Sequence, residues 1–165
     1  MKKNIFLFFF IFIAFTSYSQ EETTTYYLIR HAEKIRIDKN NKNPSLNKKG
    51  IERAKKWATV FRNVDFDMVY STNYNRTIQT VSPTAVSKNL KIQFYKPREI
   101  YDDIFKKTTK GKTVLIVGHS NTTPYFANRI LGKNKYKKIL DSYNGSLYII
   151  TITKNVITDI LLKLD

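Results

Sequence analysis

The sequence predicts an α/β fold, a three-layer sandwich with a mainly parallel sheet and helices on both faces. Three observations carry that prediction. Short apolar runs alternate with amphipathic stretches through most of the 165 residues, the pattern of βαβ units. Two of the runs, Tyr26–Ile29 and Val114–Val117, are apolar at every position, as strands buried on both faces are. Each of these runs ends abruptly in a histidine-bearing polar segment, and ligands in such folds bind beyond the carboxyl ends of the strands.

The elements follow in order. Strand one covers about Thr25 to Ile29, and the polar segment Lys34 to Lys49, with Asp38, Pro44 and Ser45, is a long loop of the kind that often carries function. A helix is expected from Asn47, a good N-cap, to Phe61, with Ile51, Ala54, Ala58 and Phe61 on its inner face and Trp57 widening the stripe. Asp67–Ser71 is a second strand. The helix after it carries Ile78, Val81 and Ala85 inward, with a kink or restart expected at Ser82-Pro83.

Ile92–Tyr95 is a third strand. A helix from about Arg98 to Thr109 would hold Glu99, Asp102 and Asp103 in its first turn and lysines in its last, which suits the helix dipole. Thr113–Val117 is the most β-branched run, and the turn Gly118–Pro124 leads into a helix ending near Leu131, with Gly132 as its stop. Ser146–Ile152 and Val156–Lys163 form a hairpin about Lys154-Asn155.

Composition bounds the function. Residues 1–19 read as a signal peptide: Lys2 and Lys3, eleven apolar residues from Ile5 to Phe15, and a small-residue site at Ser17-Tyr18-Ser19. The apolar run falls well short of the roughly 20 residues of a membrane span. The expectation is therefore one domain over residues 20–165, exported to the periplasm or secreted, with no integral membrane segment. A chain with no cysteine has no disulfides, thiolate metal sites or cysteine nucleophile. The formal charge of +16 becomes +14 without Lys2 and Lys3 and favours anionic partners. Its lysines are scattered over loops and helix faces, so a solvated basic surface is expected in place of a nucleic-acid site.

The chemistry centres on the two histidines of the chain, His31 behind Arg30 and His119 behind Gly118. One such histidine is commonly structural. Two at the carboxyl ends of parallel strands point to a shared site. They fall short of the three protein ligands of catalytic zinc, so no metal or other cofactor is expected. Arg30 adjoins one of them and Arg76 lies just past strand two. Guanidinium forks bind phosphate oxygens in pairs, and the amides after His119 open a helix, where anions bind. The partner expected is a phosphorylated small molecule.

Ile29-Arg30-His31-Ala32-Glu33, Arg76-Thr77-Ile78-Gln79-Thr80 and Val117-Gly118-His119-Ser120-Asn121-Thr122 resemble the motifs of the histidine phosphatase superfamily, the phosphoglycerate mutase-like proteins. Leu46–Ala54 resembles its loop-to-helix segment, and the length is similar to short members without an inserted cap domain. The resemblance implies a phosphatase in which the catalytic residues are His31, the nucleophile that is transiently phosphorylated, and His119, with Arg30 and Arg76 as phosphate-binding residues. Neutral imidazole is needed for attack, and the arginines favour that form while stabilising the transferring group.

The carboxylate that protonates the leaving oxygen in ester-cleaving members has no clear counterpart. Glu33 and Glu99 are the candidates for the general acid, with Asp38, Asp102 and Asp103 nearby in sequence. Without a placed acid, good leaving groups are expected to be handled better than alkyl esters. The alternatives are a noncatalytic phosphate-binding module that keeps the pocket and, because the chain is short, less readily a phosphomutase.

Overall fold

The computed structural model describes residues 22–99 and 101–164. The expected signal peptide lies outside the described residues.

The strands are β1 (Thr23–Arg30), β2 (Met68–Ser71), β3 (Ile92–Phe94), β4 (Thr113–Gly118), β5 (Ser146–Thr153) and β6 (Val156–Lys163). They form one sheet in the order β3-β2-β4-β1-β5-β6. The first four are mutually parallel, while β5 runs antiparallel to β1 and pairs with β6 as a hairpin. The helices are α1 (Lys48–Val60), α2 (Asn75–Ser87), α3 (Asp103–Thr109) and α4 (Thr122–Leu131).

Strand alternation divides the core between the two faces. Tyr26, Leu28, Val114 and Ile116 pack with Phe126 and Ile130 of α4, and Phe105 of α3 joins them. Ile29, Val69, Leu115 and Val117 face the other way, against Trp57 and Phe61 and against Val81 and Ala85 of α2. Each of the largest of these side chains contributes about 1.5–3 kcal/mol by leaving water. Helices thus cover both faces, as expected.

Register sets up the site. Arg30 pairs with Gly118 across β1 and β4, and Ser71 pairs with Val117 across β2 and β4. β1 and β4 therefore end at the same level and β2 one residue short of it, so that His31 and His119 emerge side by side and Thr72 follows β2 on the other flank of β4. Backbone bonds carry the alignment past the strand ends, from the His31 amide to the Gly118 carbonyl at 2.9 Å and from Thr72 to Val117 at 3.3 Å.

Local details depart from the expectations at several points. Asn47 caps α1 as expected, its Oδ1 accepting from the Gly50 amide at 2.9 Å. The inner face of α1, however, is Gly50, Ala54 and Trp57, followed by Phe61, with Ile51 exposed. Gly50 sits where an added Cβ would overlap the carbonyl oxygen of Glu33, so close approach of helix and loop rotates the stripe. In α2 the buried face is largely threonine, Thr77, Thr80 and Thr84 beside Val81 and Ala85, and the helix runs on through Pro83. The third helix begins five residues later than expected. Asp102 caps it by accepting from Phe105, and Tyr101 adopts φ 70°, a conformation no helix can contain. Glu99 consequently lies in a turn ahead of the helix. Gly132 ends α4 in the left-handed region at φ 66°, as a C-terminal glycine does.

Candidate active site

His31 is 4% exposed and its orientation is fixed by three hydrogen bonds. Its amide bonds the Gly118 carbonyl, its own carbonyl accepts from the side-chain amide of Asn144 at 2.8 Å, and its ring Nδ1 lies 2.7 Å from the carbonyl oxygen of Ala32. A carbonyl can only accept, so Nδ1 carries the hydrogen in the neutral ring and Nε2 keeps its lone pair. Burial chiefly, with the charges of Arg30, His119 and Arg76, lowers the pKa of His31 to about 3 against the opposing effect of the Ala32 bond. The ring is neutral at neutral pH, with Nε2 free to act as a nucleophile.

His119 faces it, the ring centroids 5.5 Å apart. Its Nε2 lies 3.0 Å from the Thr72 hydroxyl and its Nδ1 3.4 Å from Nη2 of Arg76. Burial chiefly, with Arg76, Arg30 and Lys34 adding, lowers its pKa to about 4. Tyr74 stands edge-on to the imidazole and beneath the Arg76 guanidinium, 4.5 Å from its ring centre.

The two arginines are held differently. Arg30 is 1% exposed. Its Nη1 donates to the carbonyls of Leu140, Asp141 and Tyr143 at 2.9, 3.2 and 2.9 Å, and its Nη2 to Asp141 Oδ1 at 2.6 Å. Arg76 reaches from the first turn of α2. In both, Nε is buried and bonds nothing among the described residues, an arrangement that an anion's oxygens would satisfy.

The remainder of the α2 motif secures the frame. Thr80 accepts from the Ala32 amide at 2.9 Å, fixing the turn that orients His31. Gln79 accepts from the Leu46 amide at 2.7 Å, holding the far end of the long loop. Among the described residues no three His, Cys, Asp or Glu side chains converge as metal ligands would.

Residues 26–98 match the family model of the histidine phosphatase superfamily, branch 1. The resemblance to the histidine phosphatase superfamily is thereby shown. Solved structures agree in fold. SixA from Agrobacterium tumefaciens, a proposed phosphohistidine phosphatase, is 20% identical with a TM-score of 0.64, covering 86% of this chain and 99% of its own. A phosphoglycerate mutase from Bacillus anthracis gives 15% identity and a TM-score of 0.66 over 86% and 93%. The alpha-ribazole phosphatase of Shigella flexneri gives 16% and 0.63 over 85% and 96%. A search of curated proteins gave no match.

The segments that resemble histidine phosphatase motifs thus bring His31, His119, Arg30 and Arg76 to one strand-end rim. The acid candidates are placed elsewhere in the bonding pattern. Glu33 accepts from Arg53 Nε at 3.0 Å through both oxygens and from Nη2 at 2.9 Å. Partial burial pushes its carboxyl up, but the hydrogen bonds and charge of Arg53 outweigh this and keep it below its ordinary value. Glu99 is exposed and pairs with Lys96, and Asp38 accepts from the Asn40 amide in an exposed turn. Asp102 is spent as a helix cap and Asp103 pairs with Lys106. Sequence reasoning missed Thr72, Thr77, Thr80, Asp141 and Asn144. The polar threonines at apolar-stripe spacing in α2 were a usable signal, whereas nothing local marks Asp141 or Asn144.

A cavity of about 450 Å³ adjoins the site, lined by Glu33, Lys34, Arg36, Asn47, Asp141 and Asn144 among others. Asp141 bridges Arg30 and Arg36 at its wall.

Proposed function

We propose that the protein is a metal-independent phosphohydrolase that works through a phosphohistidine at His31. The observation that supports this most is the pairing of a neutral His31, its Nε2 lone pair free, with two buried guanidinium Nε donors that have no partner among the described residues. In this reading Nε2 attacks phosphorus, the P–O bond to the leaving group breaks, and the departing oxygen keeps the electron pair and takes up a proton. Arg30 and Arg76 supply the phosphoryl oxygens, in fixed positions, with the positive charge that a metal would otherwise bring, and neutral His119 stands beside them. The P–N bond is then hydrolysed to phosphate.

With Glu33 held ionised by Arg53 and Glu99 bound to Lys96, the leaving group receives little help from a carboxylic acid. Acyl, nitrogen-linked and aryl phosphates are therefore the favoured substrate class, a choice in line with the proposed activity of SixA. The 450 Å³ cavity beside Lys34 and Arg36 would receive the leaving group. The composition of residues 1–19 supports an exported protein and hence a periplasmic or extracellular substrate.

The purified protein is expected to release phosphate from p-nitrophenyl phosphate in the presence of a chelator, and His31→Ala to abolish release. The crowded bonding of every nearby carboxylate favours one other reading, a noncatalytic phosphate-binding module. Calorimetric binding of vanadate or phosphate without turnover of any phosphate compound would select it.

A further inference from the structure

The bonding of His119 determines which of its nitrogens carries the hydrogen. Thr77 Oγ1, fully buried, donates its single hydrogen to backbone carbonyls, those of Thr72 at 2.8 Å and Tyr74 at 2.9 Å. It can then only accept from Thr72 Oγ1, 3.0 Å away. Thr72, also fully buried, has thereby used its own hydrogen, so toward His119 Nε2 its oxygen can only accept. Nε2 must be protonated. On the opposite edge Nδ1 meets Arg76 Nη2 at 3.4 Å, and a guanidinium only donates. In the neutral ring Nδ1 is therefore a bare lone pair.

We propose that Thr72 and Thr77 are positioning residues that lock His119 as its Nε2–H tautomer, and that the bare Nδ1 is the atom through which His119 moves a proton in the hydrolysis of phosphorylated His31. The second part rests on the phosphohydrolase reading above. When a phosphoryl group occupies the site, Arg76 is drawn to its oxygens and uncovers Nδ1. Water oxygen bonds to phosphorus, the P–N bond breaks and its electron pair returns to His31 Nε2. One water hydrogen stays on the new P–OH and the other passes to His119 Nδ1, from which it leaves to solvent.

The groups facing this imidazole favour its role as an acceptor that does not retain the proton. Arg30 and His31 approach from β1 and its end, Tyr74 and Arg76 from the start of α2, and Lys34 from the long loop. None of these is a carboxylate, so no counter-ion among the described residues stabilises the imidazolium before phosphate arrives. The two histidines of the site are thus set in opposite tautomers, His31 by a carbonyl and His119 by a hydroxyl chain.

The test is nitrogen-15 NMR of the ligand-free protein at neutral pH, where only two histidines need assignment. The expected result is Nδ1–H for His31 and Nε2–H for His119. Thr72→Val should release His119 into a mixture of tautomers, and Thr72→Ser should restore the lock. In single- and multiple-turnover kinetics with p-nitrophenyl phosphate, Thr72→Val should keep the first-turnover burst but lower steady-state kcat roughly a hundredfold, the lower end of what a positioned proton carrier contributes, with KM little changed. An Nδ1–H His119 in the wild type, or an unaltered tautomer or unaltered kcat in Thr72→Val, would overturn the proposal. Absence of all turnover in the wild type, with the tautomers as stated, would overturn the phosphohydrolase reading and the proton step while upholding the lock.

Discussion

The Nδ1 of His31 donates to the carbonyl oxygen of Ala32 at 2.7 Å, a bond between neighbours in sequence that Thr80 holds in place through the Ala32 amide. Thr80 in turn donates to the Arg76 carbonyl at 2.6 Å. The orientation of His31 is therefore set by the same helix that delivers Arg76. Thr80→Val should lower kcat while leaving the affinity for inorganic vanadate nearly unchanged. Parallel loss of both would place Thr80 in binding.

Both histidines have pKa values lowered in the folded protein, to about 3 and about 4, from about 6.5 in an unfolded chain. Between these limits the unfolded state binds more protons, so stability falls as pH drops from about 6.5 toward 3 and is level above that window as far as these two groups are concerned. Thermal denaturation of the wild type and of a His31→Asn, His119→Asn double variant across pH 3.5–7 checks this. The acid-side slope should be shallower in the variant.

Glu33 is bound to Arg53, and this assigns it a structural part. Glu33→Gln should slow aryl and alkyl phosphates by similar factors, because it loosens the loop and leaves proton transfer untouched. A loss confined to alkyl esters, read as the ratio of kcat/KM for the two classes, would instead make Glu33 the acid.

Arg30 ties down the segment 140–143 through three backbone carbonyls. Arg30→Met leaves these acceptors unpaired and should cost about 3 kcal/mol of stability in denaturant titrations, beyond its effect on phosphate binding. Gly50→Ala tests the neighbouring contact, where a Cβ would meet the Glu33 carbonyl. It should be destabilising although alanine is the better helix former.

The parallel strands, the two histidine-bearing ends and the cap of α1 were legible in the sequence because each is a local pattern: an apolar run, a reactive residue at its end, an asparagine before a helix. The start of α3 was not, since the acidic residues that suit a first turn also suit a turn and a cap, and Tyr101 at positive φ decided between them. The inner face of α1 was misread at Ile51 because it was set by a close approach to Glu33 that no periodicity records. Asp141 and Asn144 reach the site only through bonds spanning more than a hundred residues of chain. The four residues expected at the site were legible for the opposite reason: Arg30, His31 and His119 stand at or just past strand ends whose register places them together, and Arg76 opens the helix that follows β2.

The most direct test of the central claim is to mix the protein with p-nitrophenyl phosphate for less than one turnover, quench in alkali to preserve phosphoramidates, and locate the phosphoryl group by peptide mass spectrometry. It is predicted on His31, and absent from the His31→Ala variant. Steady release of phosphate with His31 never phosphorylated would contradict it.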